Sequence, residues 1–244
     1  KYQDLIYLID QTNKTAGIAG FYSNLSDYLV PRSITVNSVE YLVTSILEDA
    51  FKNSPELRTI QFPPDSEIKF FFKDAFNNSS IEFISLPPHL TKICEGCFSF
   101  CSKLQKIEIP PNSELQIIDD KAFYSSSIES FTIPPHLTII GKTAFAFCEK
   151  LHEVKIQSNS QLQVIDNVAF YGTLIERFTI PPHLTRIGDS AFSNCLKLER
   201  IEMPKESSLQ IIENNAFFIS QIQEITIPSS VVYLNEFWCS GITN

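Results

Sequence analysis

An apolar triplet spaced L-x-x-I-x-I runs through most of the chain. Leu104, Ile107 and Ile109 form one copy. The others are Leu57/Ile60/Phe62, Ile81/Ile84/Leu86, Ile128/Phe131/Ile133, Leu151/Val154/Ile156, Ile175/Phe178/Ile180, Leu198/Ile201/Met203 and Ile222/Ile225/Ile227. The last two members alternate with polar residues, which is the period of a strand with one buried face. Pro or Pro-Pro usually follows, though not after Ile156, and 13 of the 14 prolines sit there. Pro has no N–H to give to a ladder, so it ends the strand and turns the chain. A second apolar pair comes next, such as Leu137/Ile140 or Leu162/Ile165, and then Ala-Phe. In the stretch Ile140, Ala144, Phe145, Cys148, Leu151 the apolar spacing is 3 or 4, which predicts one or two short helical turns, α or 3-10.

The pattern is an internal repeat. Ile133-Pro-Pro-His-Leu-Thr-Ile-Ile-Gly-Lys-Thr-Ala-Phe145 returns 47 residues later as Ile180-Pro-Pro-His-Leu-Thr-Arg-Ile-Gly-Asp-Ser-Ala-Phe192. Phe98, Phe145 and Phe192 form one series and Phe76, Phe123, Phe170 and Phe217 another, interleaved by alternating steps of 22 and 25 residues. The structural unit is therefore about 23–24 residues, within a 47-residue double repeat. One such unit cannot bury its apolar edge alone, but stacked units can. That reading accounts for 20 Phe against a single Trp and a single Met: one Phe per coil fills the interior, and the preceding Ala leaves room for it.

The ends fit less closely. Leu25, Tyr28, Val30 and Pro31 match the strand frame, with Phe21 and Phe51 as aromatic rungs. The 30-residue gap between those rungs predicts an insertion near residues 37–44. Trp238 and Cys239 fall where Ala and Phe are expected. The expectation is one domain over 1–244: irregular repeats in 1–50, regular ones in 51–227, an incomplete one in 228–244. Solenoid ends need polar caps, and neither end looks like one, so flanking sequence or self-association is expected to cover at least one terminal coil. The chain opens at Lys1 with no signal pattern, which suggests a processed protein or a fragment.

Composition narrows the function. With 43% apolar residues a core can form, and with 19 Lys plus Arg against 28 Asp plus Glu the net charge is −9. That balance argues against nucleic acid and against a polybasic membrane patch. No apolar run is long enough to span a bilayer. Seven glycines leave little material for phosphate-cradling loops.

The frame L-x-x-I-x-I-P-x-x-L-x-x-I-G-x-x-A-F-x-x-C resembles the BspA-like subfamily of leucine-rich repeats, over roughly residues 20–240. In that family Pro-Pro takes the place of the Asn that follows the strand in the commonest leucine-rich repeat. The resemblance implies a right-handed leucine-rich-repeat solenoid with a parallel sheet of short strands on one face. Members are surface proteins of oral bacteria and of parasitic protists such as trichomonads. A non-catalytic role in adhesion is therefore implied, with a host, matrix or other protein, or a glycan, as partner. No cofactor and no catalytic residue carry over. The alternative is an intracellular, cytoplasmic scaffold for a signalling partner.

Other chemistry reads blandly. His89, His136 and His183 share the Pro-Pro-His-Leu turn, and two coils at about 4.8 Å each put neighbours near 10 Å apart, too far for a shared zinc. Cys101, Cys148 and Cys195 obey the same spacing and cannot pair in a regular solenoid. In the run Cys94, Cys97, Cys101, the frame places Cys94 at a Gly position and Cys97 at the Ala rung; a disulfide from Cys94 to Cys97 or Cys101 is the alternative. Glu108 and Glu153, as strand neighbours, could lie at the separation a glycosidase needs, though nothing suggests a cleft around them. Sequons at Asn13, Asn24, Asn77 and Asn78 are candidate glycosylation sites.

The outward strand columns are the natural recognition face. Among them Phe83 is the one large apolar residue, and Lys106, Glu108, Glu153, Lys155, Arg177, Arg200 and Glu202 supply the charge. A mixed polar face suits a protein partner better than an apolar small molecule.

Overall fold

The computed structural model describes residues 4–23, 25–157, 159–204, 206–235 and 237–239. Its first strands are β1 (Leu5–Asp10), β2 (Thr15–Phe21), β3 (Asp27–Leu29), β4 (Ser33–Val36) and β5 (Val39–Ile46). Two series then alternate. The apolar triplets give β6 (Thr59–Gln61), β8 (Phe83–Ser85), β10 (Lys106–Glu108), β12 (Ser130–Ile133), β14 (Glu153–Ile156), β16 (Arg177–Thr179) and β18 (Arg200–Glu202). The second apolar pairs give β7 (Phe70–Phe71), β9 (Lys92–Ile93), β11 (Ile117–Ile118), β13 (Ile139–Ile140), β15 (Val164–Ile165), β17 (Arg186–Ile187), β19 (Ile211–Ile212) and β20 (Tyr233–Leu234). Each coil from β6 to β19 thus contributes one strand to each of two faces, and the chain is a parallel β-solenoid.

A single sheeted face was expected; there are two. The longer sheet, of 12 strands, runs β1-β2-β5-β7-β9-β11-β13-β15-β17-β19-β20, with β4 on β5. Its later strands have two residues each, too short to show an alternating pattern. The triplet face is split into β10-β8-β6-β3, β12-β14 and β16-β18. The breaks fall on either side of the four-residue pair β12–β14.

The core is a set of ladders. Phe21, Phe51, Phe76, Phe98, Phe123, Phe145, Phe170, Phe192 and Phe217 stack in sequence, with centroids 5.0–5.7 Å apart and planes within 16°. Beside them the inward residue of each two-residue strand, Ile93 through Ile212, forms an isoleucine ladder with no exposed surface. The Ala before each Phe from Ala75 to Ala216 is fully buried, except that Cys97 replaces it in one coil.

No helix or 3-10 turn occurs among the described residues, which corrects the reading of the Ala-Phe stretch. Each Phe from Phe51 to Phe217 is flanked by left-handed residues two positions before and two after, for example Thr143 (φ 54°) and Phe147 (φ 58°) around Phe145. Ala144, Ala146 and Cys148 donate within the turn, to Gly141, Thr143 and Phe145. Thr143, Phe145 and Phe147 donate instead to Asn167, Ala169 and Tyr171 of the next coil. Alternate N–H groups therefore leave the turn, and a right-handed helix cannot propagate through positive φ. The spacing of 3 or 4 came from successive β-turns.

The additional residues between Phe21 and Phe51 form the antiparallel hairpin β4–β5, turning at Asn37 and Ser38, both with positive φ. That is the backbone a tight two-residue hairpin needs. The antiparallel pair β1–β2 covers the first coil. At the other end Trp238 occupies the Ala place, its carbonyl accepting from Phe217 N–H, and its ring lies edge-on to Phe217 at 6.2 Å.

Candidate functional site: the triplet strand face

All eight residues singled out on the triplet face sit on its strands, and all but half-buried Phe83 are exposed. They point outward because the buried residue between them, such as Val154 in β14 or Ile201 in β18, points in. Parallel register sets the neighbours: Lys106 beside Phe83, Glu108 beside Ser85, Lys155 beside Thr132, Arg177 beside Arg200, Glu202 beside Thr179.

Electrostatics within the face is local. Lys155 Nζ lies 3.0 Å from Glu153 Oε2, and Arg200 Nε lies 3.0 Å from Glu202 Oε1, each pair within one strand. Thr179 Oγ1 donates to Glu202 Oε2 at 3.2 Å. Lys106 Nζ stands 5.7 Å from the centre of the Phe83 ring. Arg177 makes no ion pair among the described residues and faces Arg200 across the ladder. Exposed pairs contribute at most about 1 kcal/mol, so a partner can replace them at small cost.

Glu108 and Glu153 are not strand neighbours. The strand β12 lies between β10 and β14, so the two carboxylates stand two coils apart. The hollow on this face is open, about 640 Å³, and lies at its C-terminal end. There Arg200, Glu202 and Met203 meet Gln223, Glu224 and Ile225, where the triplet of Ile222, Ile225 and Ile227 forms no strand.

The cysteines are free. Cys101, Cys148 and Cys195 are buried and donate to the carbonyls of Phe76, Phe123 and Phe170 in the preceding coil, at 3.1, 3.0 and 3.2 Å. Each also touches the hydroxyl of Ser79, Ser126 or Thr173. Burial raises their thiols to about 11, 12 and 11, so they stay protonated and unreactive at neutral pH. Cys97 is buried, and Cys94 and Cys239 half-buried, each raised by burial.

The remaining candidates are dispersed. His89 Nδ1 is 3.0 Å from Glu114 Oε1, and among the described residues no three metal-ligating side chains converge. Asn13 is exposed in the β1–β2 turn, where its amide donates to Asp10. Asn77 donates to Asp74 and Asn78 to Asn53. Asn24 lies outside the described residues. Among the described residues no helix is long and apolar enough to cross a membrane.

Sequence reasoning missed the outward row of the long sheet, with Phe70, Ile139 and Tyr233 exposed. It also missed Arg186, whose guanidinium donates to Glu213 at 2.8 Å and to Asp166 and Asn167 at 2.9 Å. Burial works against its charge, but Glu213 and Asp166 outweigh that and raise it further. The signal was present in the residue before the second apolar position, as in Ile139-Ile140 and Arg186-Ile187.

The comparisons agree with this architecture. Residues 31–118 and 116–242 match the family described as BspA type leucine rich repeat region. A leucine-rich repeat protein from Bacteroides ovatus superposes with a TM-score of 0.76 at 26% identity over 93% of this chain. The chain spans 58% of that protein's length. The pneumococcal vaccine antigen PcpA gives a TM-score of 0.58 at 21% identity, covering 96% of this chain and 76% of its own. A leucine-rich repeat protein of T. pallidum gives 0.66 at 18%, covering 90% and 89%. No curated protein matches the chain. Repeat frame, stacked coils and family match together show that this chain belongs to the BspA-type leucine-rich repeat family.

Proposed function

We propose that this chain is a non-catalytic protein-binding module of a cell-surface adhesin, which engages a host or matrix protein through the triplet strand face. The observation that carries the reading is the composition of that face. Its exposed charges include Arg177, which makes no ion pair among the described residues, and weak exposed pairs, Glu153–Lys155 and Arg200–Glu202 inside one strand and Arg58–Glu82 between coils. Such charges are available to a complementary polar surface, and rim charges of this kind steer association and set specificity. The open hollow beside Arg200 is too shallow and polar for an enclosed small-molecule site.

Antibody labelling of intact source cells, with a permeabilised control, tests the reading. Labelling of intact cells is the expected result. Labelling only after permeabilisation would overturn the adhesin and favour an intracellular scaffold using the same face. That second reading has one observation on its side: all six cysteines are unpaired, as reducing compartments keep them.

A further inference from the structure

A second surface lies on the turn that carries the Ala-Phe rungs, away from the triplet strands. Phe100, Tyr124, Phe147 and Tyr171 form an outer aromatic ladder there, with centroids 5.4, 5.6 and 5.2 Å apart and interplanar angles of 77°, 76° and 60°. Phe100 is 49% exposed and Phe147 39%. Both hold positive φ, at 59° and 58°. The same place in other coils is filled by Asn53, Asn78, Ser125, Gly172 and Asn194, mostly residues that tolerate this backbone, and by Ile219 in the last rung's coil. A bulky apolar side chain in a left-handed, solvent-facing position gains neither backbone ease nor full burial, and such outliers cluster at functional sites.

The same turn has a second feature with the same period. In alternate coils it is one residue longer, and in three of these four longer turns a lysine stands just before the next triplet, Lys103, Lys150 and Lys197, where the first has Glu56. All three are exposed and none makes an ion pair among the described residues. Glu149 is the one carboxylate in these three turns. On a chain of net charge −9, a row of free lysines beside exposed rings is a local exception. The two exposed Phe rings and the three lysines share a two-coil spacing, roughly 10 Å at the usual strand spacing, with Asn194 in the ring's place beside Lys197.

We infer that this edge binds a linear anionic polysaccharide with one carboxylate in every second sugar. Successive sugars of an extended β-linked chain advance by a distance close to one coil. Their C–H faces would lie on the exposed rings of Phe100 and Phe147, and alternate carboxylates would meet Lys103, Lys150 and Lys197. The surface is separate from the protein-binding face proposed above.

The test uses immobilised hyaluronan, in which uronate alternates with N-acetylhexosamine, with neutral dextran and polyglutamate as controls. The chain is expected to bind hyaluronan over both controls, less tightly as salt is added. The pair Phe100→Asn and Phe147→Asn, and separately the triple Lys103→Gln, Lys150→Gln and Lys197→Gln, should each weaken binding by about tenfold or more with the melting temperature retained. No binding to hyaluronan, equal binding to dextran or polyglutamate, or full binding by both variant sets would overturn the inference.

Discussion

The phenylalanine column makes the sharpest demand on the structure, and Phe145→Ala tests it. Phe145 is fully buried and stacks on Phe123 at 5.0 Å and Phe170 at 5.2 Å, with Phe131 tilted against it at 5.0 Å. Truncation removes the ring's transfer free energy and leaves a void between two coils that the backbone ladders hold apart. Phe→Ala in a core costs about 3–5 kcal/mol, to be set against about 5–15 kcal/mol for a whole domain. At roughly 2–4 °C per kcal/mol for a chain of this size, the melting temperature falls by about 6–20 °C. Circular dichroism during thermal and urea unfolding reads both quantities. Two controls sharpen the result. Phe217 has one stacked Phe neighbour rather than two, so Phe217→Ala should cost less. Phe147 lies two residues further along the same turn but is exposed and left-handed; in Phe147→Asn the easier backbone offsets the lost ring contacts, for a net change of at most about 1 kcal/mol. A loss below about 1 kcal/mol for Phe145→Ala, or equal losses at Phe145 and Phe147, would refute an interior built on stacked rings.

The other predictions rest on side chains around that column. Arg186→Ala leaves Glu213, Asp166 and Asn167 without their shared donor and should cost about 1–3 kcal/mol by urea denaturation. Gly141→Ala places a Cβ 2.8 Å from the backbone of Asp119 and Asp120, so the two coils must part; a loss of about 1–3 kcal/mol is expected, against no change if the coils are loose. The buried thiols couple stability to alkaline pH. Their folded values, about 11 for Cys101 and Cys195 and about 12 for Cys148, lie above the ordinary thiol value of 9.0. The unfolded chain therefore loses these protons first. Their contribution is complete below pH 9 and is lost as pH rises toward 11–12, by up to about 1.4 kcal/mol per pH unit for each thiol. In a native thiol-labelling time course Cys94 and Cys239 should react before Cys101, Cys148 and Cys195; simultaneous reaction would contradict their burial.

The stacked coils were legible because one large aromatic per repeat leaves a count and a period that survive variation at every other position. The triplet face was legible for a related reason: three-residue strands bounded by proline still alternate, so Lys106-Ile107-Glu108 shows which side chains face out. The second ladder was hidden because two residues, such as Ile117 and Ile118, cannot display a period of two. The left-handed residues were hidden too. Asp49, Asn53 and Asn78 suggest such a backbone, but Lys121, Val168 and Phe147 occupy equivalent places and carry no such signal. Their outward N–H groups explain why a helical spacing produced no helix. At the candidate site the residues could be named in advance, but their pairing could not. Glu153 turns to Lys155 and Glu202 to Arg200 within single strands, which depends on rotamers, while Arg186 gathers its partners from the coils on either side of its own.

The central functional claim is that the triplet face is the surface a protein partner meets. Charge reversal there tests it most directly: wild type and Arg177→Glu with Arg200→Glu, compared by surface plasmon resonance on a panel of immobilised extracellular matrix proteins, with melting temperature as the folding control. Binding of at least one matrix protein by the wild type, weakened about tenfold or more in the variant at unchanged stability, is the predicted result. Binding that survives the reversal undiminished would contradict the account.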